Sequence, residues 1–160
     1  MSVAFTKEDS AETAAETMLP DRPISDAPNL VTAEGRKALE RQFAEARAQY
    51  DAAMTIEDVN ERRRQAANPF RDLRYFTERL RTAQLIPAPD SNAVVVFGST
   101  VTFSRDDGRV QTYRIVGEDE ADPKTGSISY VSPIARALMG KSVDDAVSLG
   151  EHELEVVAIA

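Results

Sequence analysis

Apolar positions between residues 32 and 86 repeat at helical spacing. Leu39, Phe43, Ala46, Tyr50 and Ala53 follow one another at intervals of four and three residues, which puts them on one stripe of a helix. Thr32 stands at the natural N-cap, because its hydroxyl can accept from a free amide of the first turn, and Glu34 suits the positive end of the helix dipole. A second stripe is carried by Phe70, Leu73 and Leu80, reaching back through Ala66 to Val59 and Ile56, with Phe76 and Ala83 beside it. It stops before Pro87-Ala88-Pro89. Each stripe requires an apolar partner, and two of them in one short region satisfy each other as an antiparallel coiled-coil hairpin.

The pattern leaves the bend of this hairpin at one of three places. Thr55 can cap a helix that begins Ile56-Glu57-Asp58, leaving Pro69 as a kink inside the second arm. Equal arm lengths favour Asn60 instead. Alternatively Asn68 is an N-cap with Pro69 at the first helical position, where a missing amide is harmless, and Thr55 to Ala67 forms a small separate cap. In every case Glu57, Asp58 and Glu61 gather at the far end, followed at once by Arg62, Arg63 and Arg64, which pair with them by default.

After Pro89 the period falls to two. Val94–Phe97, Thr100–Ser104, Val110–Val116, Ser127–Val131 and Glu153–Ile159 read as strands, with Asp106-Asp107-Gly108 as a hairpin turn between two of them. Ser132 to Gly140 reads as a short helix, with Pro133 at its start, Gly140 past its end, Ile134, Leu138 and Met139 toward the core and Arg136 exposed. The expected fold class is α+β: a flexible acidic leader over residues 1–29, the hairpin over 30–86 and a small β-rich domain over 87–160.

Composition narrows the chemistry more than the fold. There is no cysteine and one histidine, His152, so disulfides, thiol nucleophiles and the usual zinc sites are excluded, while a carboxylate-bound hard cation such as magnesium remains open. No phosphate-cradling glycine loop, nucleophile elbow or Ser/His/Asp set is present. The apolar runs fall well short of the roughly 18 residues of a membrane span, and a cytoplasmic protein with no membrane partner is expected. Residues 1–29 carry two basic and six acidic side chains, 30–86 eleven and nine, and 87–160 six and twelve. Such a distribution offers no strong site for free nucleic acid, which wants clustered Lys and Arg, and it favours a protein partner with a basic surface.

Several strings in the right order carry a resemblance. Val31-Thr32-Ala33-Glu34-Gly35, Phe97-Gly98-Ser99-Thr100-Val101, Tyr113-Arg114-Ile115-Val116-Gly117, Glu120-Ala121-Asp122, Ile128-Ser129, Ser132-Pro133 and Ala137-Leu138-Met139-Gly140-Lys141 make the chain similar to the bacterial Gre transcript-cleavage factors (GreA/GreB), including the related regulator of nucleoside diphosphate kinase. The similarity spans about 130 of the 160 residues. It implies that the C-terminal domain has an FK506-binding-protein-like fold and docks on RNA polymerase at the rim of the secondary channel, which the hairpin enters. Docking candidates on that domain are Asp119, Glu120, Ser132, Pro133, Ile134, Arg136 and Met139. In cleaving members, tip carboxylates help to hold a second Mg²⁺ and a water in the polymerase active site, so backtracked RNA is hydrolysed by the polymerase. Glu57 and Asp58 stand where such ligands would be, for Mg²⁺ bound only in the complex; the chain alone needs no cofactor, is not itself an enzyme and is expected to be a monomer.

The tip departs from the family string Gly-Asp-Leu-Ser-Glu-Asn-Ala-Glu-Tyr, and the nearest text is Met54-Thr55-Ile56-Glu57-Asp58-Val59-Asn60-Glu61. From Thr32 to a bend at Asn60 there are 28 residues, fewer than in cleaving members, and each missing residue shortens a helix by ~1.5 Å. Two mechanisms therefore stand side by side: stimulated cleavage of backtracked RNA, or occupation of the channel without cleavage that inhibits or tunes transcription. From other classes, the fold alone suggests a peptidyl-prolyl isomerase or chaperone, and the hairpin alone a protein adaptor.

Overall fold

The computed structural model describes residues 18–160; the expected flexibility of residues 1–17 lies outside the described residues. Contacts divide the chain into two compact units, one holding the described residues up to Asp26 and Leu39–Arg81, the other Ala27–Ala38 and Thr82–Ala160.

The helical unit is built from α1 (Ala33–Ala53), which begins in the other unit, and α2 (Val59–Thr82). Leu39, Ala46 and Ala53 are buried at a spacing of seven residues, and Ala66, Pro69 and Phe76 are buried on α2, so the two stripes face each other as the pattern demands. The bend occupies residues 54–58. Thr55 does not cap α2; its hydroxyl donates back to the Ala52 carbonyl at 2.7 Å, and Asp58 takes the capping role. Asn68 and Pro69 lie within a continuous helix. The lost Pro69 amide costs one ladder bond, and the residue itself is buried. Phe70, expected in the seam, stays 46% exposed, its ring centroid 5.6 Å from that of Tyr50.

The second unit holds a five-stranded sheet of order β5-β4-β3-β7-β6, made of β3 (Thr100–Arg105), β4 (Val110–Val116), β5 (Ser127–Ser129), β6 (Ala146–Leu149) and β7 (His152–Ile159). All neighbours are antiparallel except β4 and β5. Strand β6 was not among the segments read from the alternation, whereas Val94–Phe97 forms no strand. The Asp106-Asp107-Gly108 turn forms as expected, with Gly108 at φ +85°. Alternate residues Val101, Phe103, Ile115, Leu154 and Val156 point to one face and are covered by α3 (Pro133–Leu138) through Ala135 and Leu138.

The same unit contains a two-stranded parallel pair, β1 (Leu30–Val31) with β2 (Gln84–Leu85), joining the segments that enter and leave the hairpin. The Gln84 amide donates to the Asn29 carbonyl at 2.8 Å and the Ile86 amide to the Val31 carbonyl at 2.9 Å. Residues 27–31 thus belong to a packed structure, and the expected leader ends earlier than residue 29: Asn29 is buried, its side-chain amide donating to Thr82 Oγ1. Gly117 lies against this pair so closely that a Cβ there would stand 2.3 Å from the Leu30 carbonyl oxygen.

Gly117→Ala must push the backbone of β1 away, and a loss of about 1–3 kcal/mol is expected, read from denaturant unfolding with an unchanged slope.

Candidate functional site at the hairpin bend

Four free amides begin any helix, and at α2 one of them is met by a side chain of the bend itself. Asp58 Oδ1 accepts from the Glu61 amide at 2.8 Å, while the Asp58 carbonyl receives the Arg62 amide at 2.9 Å. Asp58 is therefore an N-cap, the position at which Asp is among the preferred residues. Arg62 turns back to donate to the Ile56 carbonyl at 3.2 Å, closing the loop from inside.

Glu61 is held from both sides. Arg64 reaches its Oε2 at 2.7 Å and Gln65 reaches its Oε1 at 2.8 Å. These bonds, that from Gln65 foremost and then the hydrogen bond and charge of Arg64, hold the Glu61 carboxyl below its ordinary 4.5. Glu57 is exposed and makes no hydrogen bond or ion pair among the described residues. Of the three acids predicted at the end of the hairpin, Glu57 and Asp58 lie in the bend and Glu61 in the first turn of α2, each in a different state. No group of three or more acidic or histidine side chains arranged to hold a metal occurs among the described residues.

Sequence reasoning missed the segment that lies along α2. Arg22 pairs with Asp72 at 3.1 Å, and its guanidinium sits 3.8 Å from the centre of the Tyr75 ring; Asp21 pairs with Arg74 at 2.6 Å. Such a guanidinium between a carboxylate and an aromatic face gains from both. Its signal was present in Asp21-Arg22, a charged pair among prolines. Buried Arg79 on α2 also went unforeseen.

In the sheet unit, the docking candidates fall into two groups. Ser132, Pro133, Ile134, Arg136 and Met139 lie on and beside α3. Ser132 caps it, its Oγ accepting from the Ala135 amide at 3.3 Å; Ile134 and Met139 pack against the core, and Pro133 and Arg136 are exposed. Asp119 and Glu120 sit in the turn after β4. Glu120 faces inward: Thr32 donates to its Oε2 at 2.6 Å while the Gly35 amide donates to Thr32 Oγ1 at 3.0 Å. The hydroxyl of Tyr130 donates to the Pro28 carbonyl. Two concavities of this unit are lined by Thr32, Leu85, Gly98 and Arg114 and by Ile86, Pro89, Val96 and Phe97.

A family model described as "Transcription elongation factor, GreA/GreB, C-term" matches residues 90–160. Over 131 residues the chain is 41% identical to transcription elongation factor GreA of Legionella pneumophila (strain Corby), covering 78% of this chain and 81% of that protein. The chain belongs to the GreA/GreB family of transcription elongation factors. GreA of Thioalkalivibrio sulfidiphilus (strain HL-EbGR7) is 40% identical over 133 residues, 79% of this chain and 84% of that one. Among solved structures, GreA factor homolog 1 (Gfh1) of Thermus thermophilus aligns with 84% of this chain and 99% of its own, at 25% identity and a TM-score of 0.39. Within a Gre-like factor, the arrangement at the bend decides what the hairpin can offer: one unengaged carboxylate, one capping carboxylate and one engaged through both oxygens.

Two measurements probe that arrangement. Asp58→Ala is expected to cost about 0.5–2 kcal/mol through the lost cap, with Asp58→Ser restoring most of it, as read by thermal unfolding followed at a helical signal. For Glu61, depression of the folded value means that its contribution is present above 4.5 and is lost as pH falls through the lower folded value. An NMR titration should place its midpoint below 4.5, and Gln65→Ala should raise it.

Proposed function

We propose that this Gre-like factor binds RNA polymerase, with the sheet unit docking at the rim of the secondary channel through the exposed Pro133 and Arg136 of α3 and the hairpin entering the channel. Support comes from membership of the GreA/GreB family together with an antiparallel pair of long continuous helices ending in a capped bend. The protein is then a regulator in the cytoplasm and no enzyme by itself, since any hydrolysis uses the polymerase active site. No helix among the described residues is long and apolar enough to cross a membrane.

Within this reading, we assign the bend to channel occupation rather than to metal ligation. The observation that carries it is the engagement of Glu61 through both oxygens, with Asp58 Oδ1 committed to the helix cap. Mg²⁺ prefers near-ideal octahedral oxygen coordination and is held by carboxylates free to approach it. Stimulated cleavage is the second reading, and one observation favours it: Glu57 is unengaged and Asp58 keeps one oxygen without a partner among the described residues.

Purified core polymerase and assembled backtracked complexes separate these readings. The chain should co-purify with core polymerase and add no RNA cleavage above the factor-free rate. Cleavage that is added by the wild type and lost in Glu57→Ala would establish the second reading; absence of binding to core polymerase would refute both.

A further inference from the structure

We propose that Met18–Asp26 is a releasable strap on α2, latched by a reciprocal exchange of charges, and that it withholds the Asp72, Arg74 and Tyr75 surface from partners until it lifts. Strap and helix each supply one acid and one arginine. Asp21 of the strap pairs with Arg74 of α2 at 2.6 Å, and Arg22 of the strap pairs with Asp72 at 3.1 Å. An aromatic ring backs each arginine. The Arg22 guanidinium stands 3.8 Å from the centre of the Tyr75 ring and 5.2 Å from that of Phe76, and the Arg74 guanidinium stands 4.5 Å from that of Phe70. Arg74 also donates to the Leu19 carbonyl at 3.4 Å.

Two opposing effects make this latch reversible. Pro20 and Pro23 fix their own φ and bias the residues before them, Leu19 and Arg22, to extended backbone. Leu19 and Arg22 are also the two strap residues that are not exposed, so the strap is pre-shaped where it meets α2 and loses less entropy on docking. Against this, the four paired side chains remain between 31% and 74% exposed. Ion pairs this open are weak and screened by salt, and a segment with few buried apolar contacts opens at the low end of a protein's stability range. The buried seam of Leu39, Ala46, Ala53, Ala66 and Phe76 belongs to the two helices, so the strap lifts while the hairpin stays folded. The chemistry of the latch also defines its competitor: a segment with a carboxylate beside an arginine takes the strap's place. For RNA polymerase as that competitor, the inference rests on the function proposed above.

Backbone order parameters from NMR relaxation of the full-length protein test the latch. In dilute salt, Asp21, Arg22 and Ile24 should approach the value of about 0.85 typical of rigid backbone; in Arg22→Ala they should fall below about 0.6 while those of α2 stay high. The same fall is expected in the wild type on passing from about 0.01 M to about 1 M sodium chloride, as the screening length drops from about 30 Å to about 3 Å. Asp21→Arg and Arg74→Asp should each loosen the strap, and the two together should restore its order. A strap already mobile in dilute salt overturns the inference, as does one whose order survives both Arg22→Ala and high salt. A double variant no better ordered than the single ones overturns the reciprocal exchange, and order that fades on dilution overturns the intramolecular latch in favour of docking on a second copy. No polymerase enters this experiment, so its failure leaves the proposed function standing, and the reverse holds as well.

Discussion

Everything in the hairpin depends on its two ends being held side by side, and the parallel pairing of β1 with β2 is what holds them. Strands of two residues contribute few bonds, and a free pair this short is not stable in water. Burial compensates: Val31 and Asn29 are enclosed, Gly117 lets the backbone of Leu30 approach at a distance that no side chain would permit, and Tyr130 reaches across to the Pro28 carbonyl. Thr32 adds a second lock. Its hydroxyl accepts from the Gly35 amide and donates to Glu120, so one buried oxygen starts α1 and ties that start to the turn after β4. A buried hydroxyl without such partners would be costly, and here both of its capacities are used within one unit.

Periodicity made the hairpin legible because two amphipathic stripes can be satisfied only by each other, and the alternation after Pro89 made most of the sheet legible for the corresponding reason. What the pattern could not resolve was competition between equally good local signals. Thr55, Asp58 and Asn68 are all acceptable caps; Asp58 is used because the facing stripe brings α1 to an end at Ala53, and the chain needs the five intervening residues to reverse. Strand β6 escaped notice because Ala146–Leu149 is short and contains one buried position, Val147. The apolar residues of the segment Met18–Asp26 (Met18, Leu19 and Ile24) follow no period, and two arginines bind the segment to α2 through partners about fifty residues away. Long-range ion pairs leave no periodic trace.

Motif content and side-chain role also diverged in the sheet unit. Glu120 and Ser132 belong to the strings that carry the resemblance, and each uses a side-chain oxygen within the fold, Glu120 Oε2 accepting from Thr32 and Ser132 Oγ from the Ala135 amide. Pro133 and Arg136 from the same neighbourhood are exposed. A family string therefore mixes residues that build the surface with residues that present it, and only hydrogen-bond accounting separates the two.

The bend poses that accounting in its sharpest form, since the residue types that cap a helix are those that ligate Mg²⁺. A carboxylate has two oxygens, so Asp58 can cap with one and retain the other; capping by itself decides nothing. Glu61 is more informative, because Arg64 and Gln65 take one oxygen each. Exposed contacts of this kind are weak, because water and salt screen them, so they bias the carboxylate without locking it. Their larger effect is on charge: with Arg62, Arg63 and Arg64 following the three acids, the end of the hairpin carries no net charge. Attraction for a cation then has to come from position alone, through Glu57, whereas a partner surface of either sign meets no long-range repulsion. A neutral, capped end suits a hairpin that works by filling space.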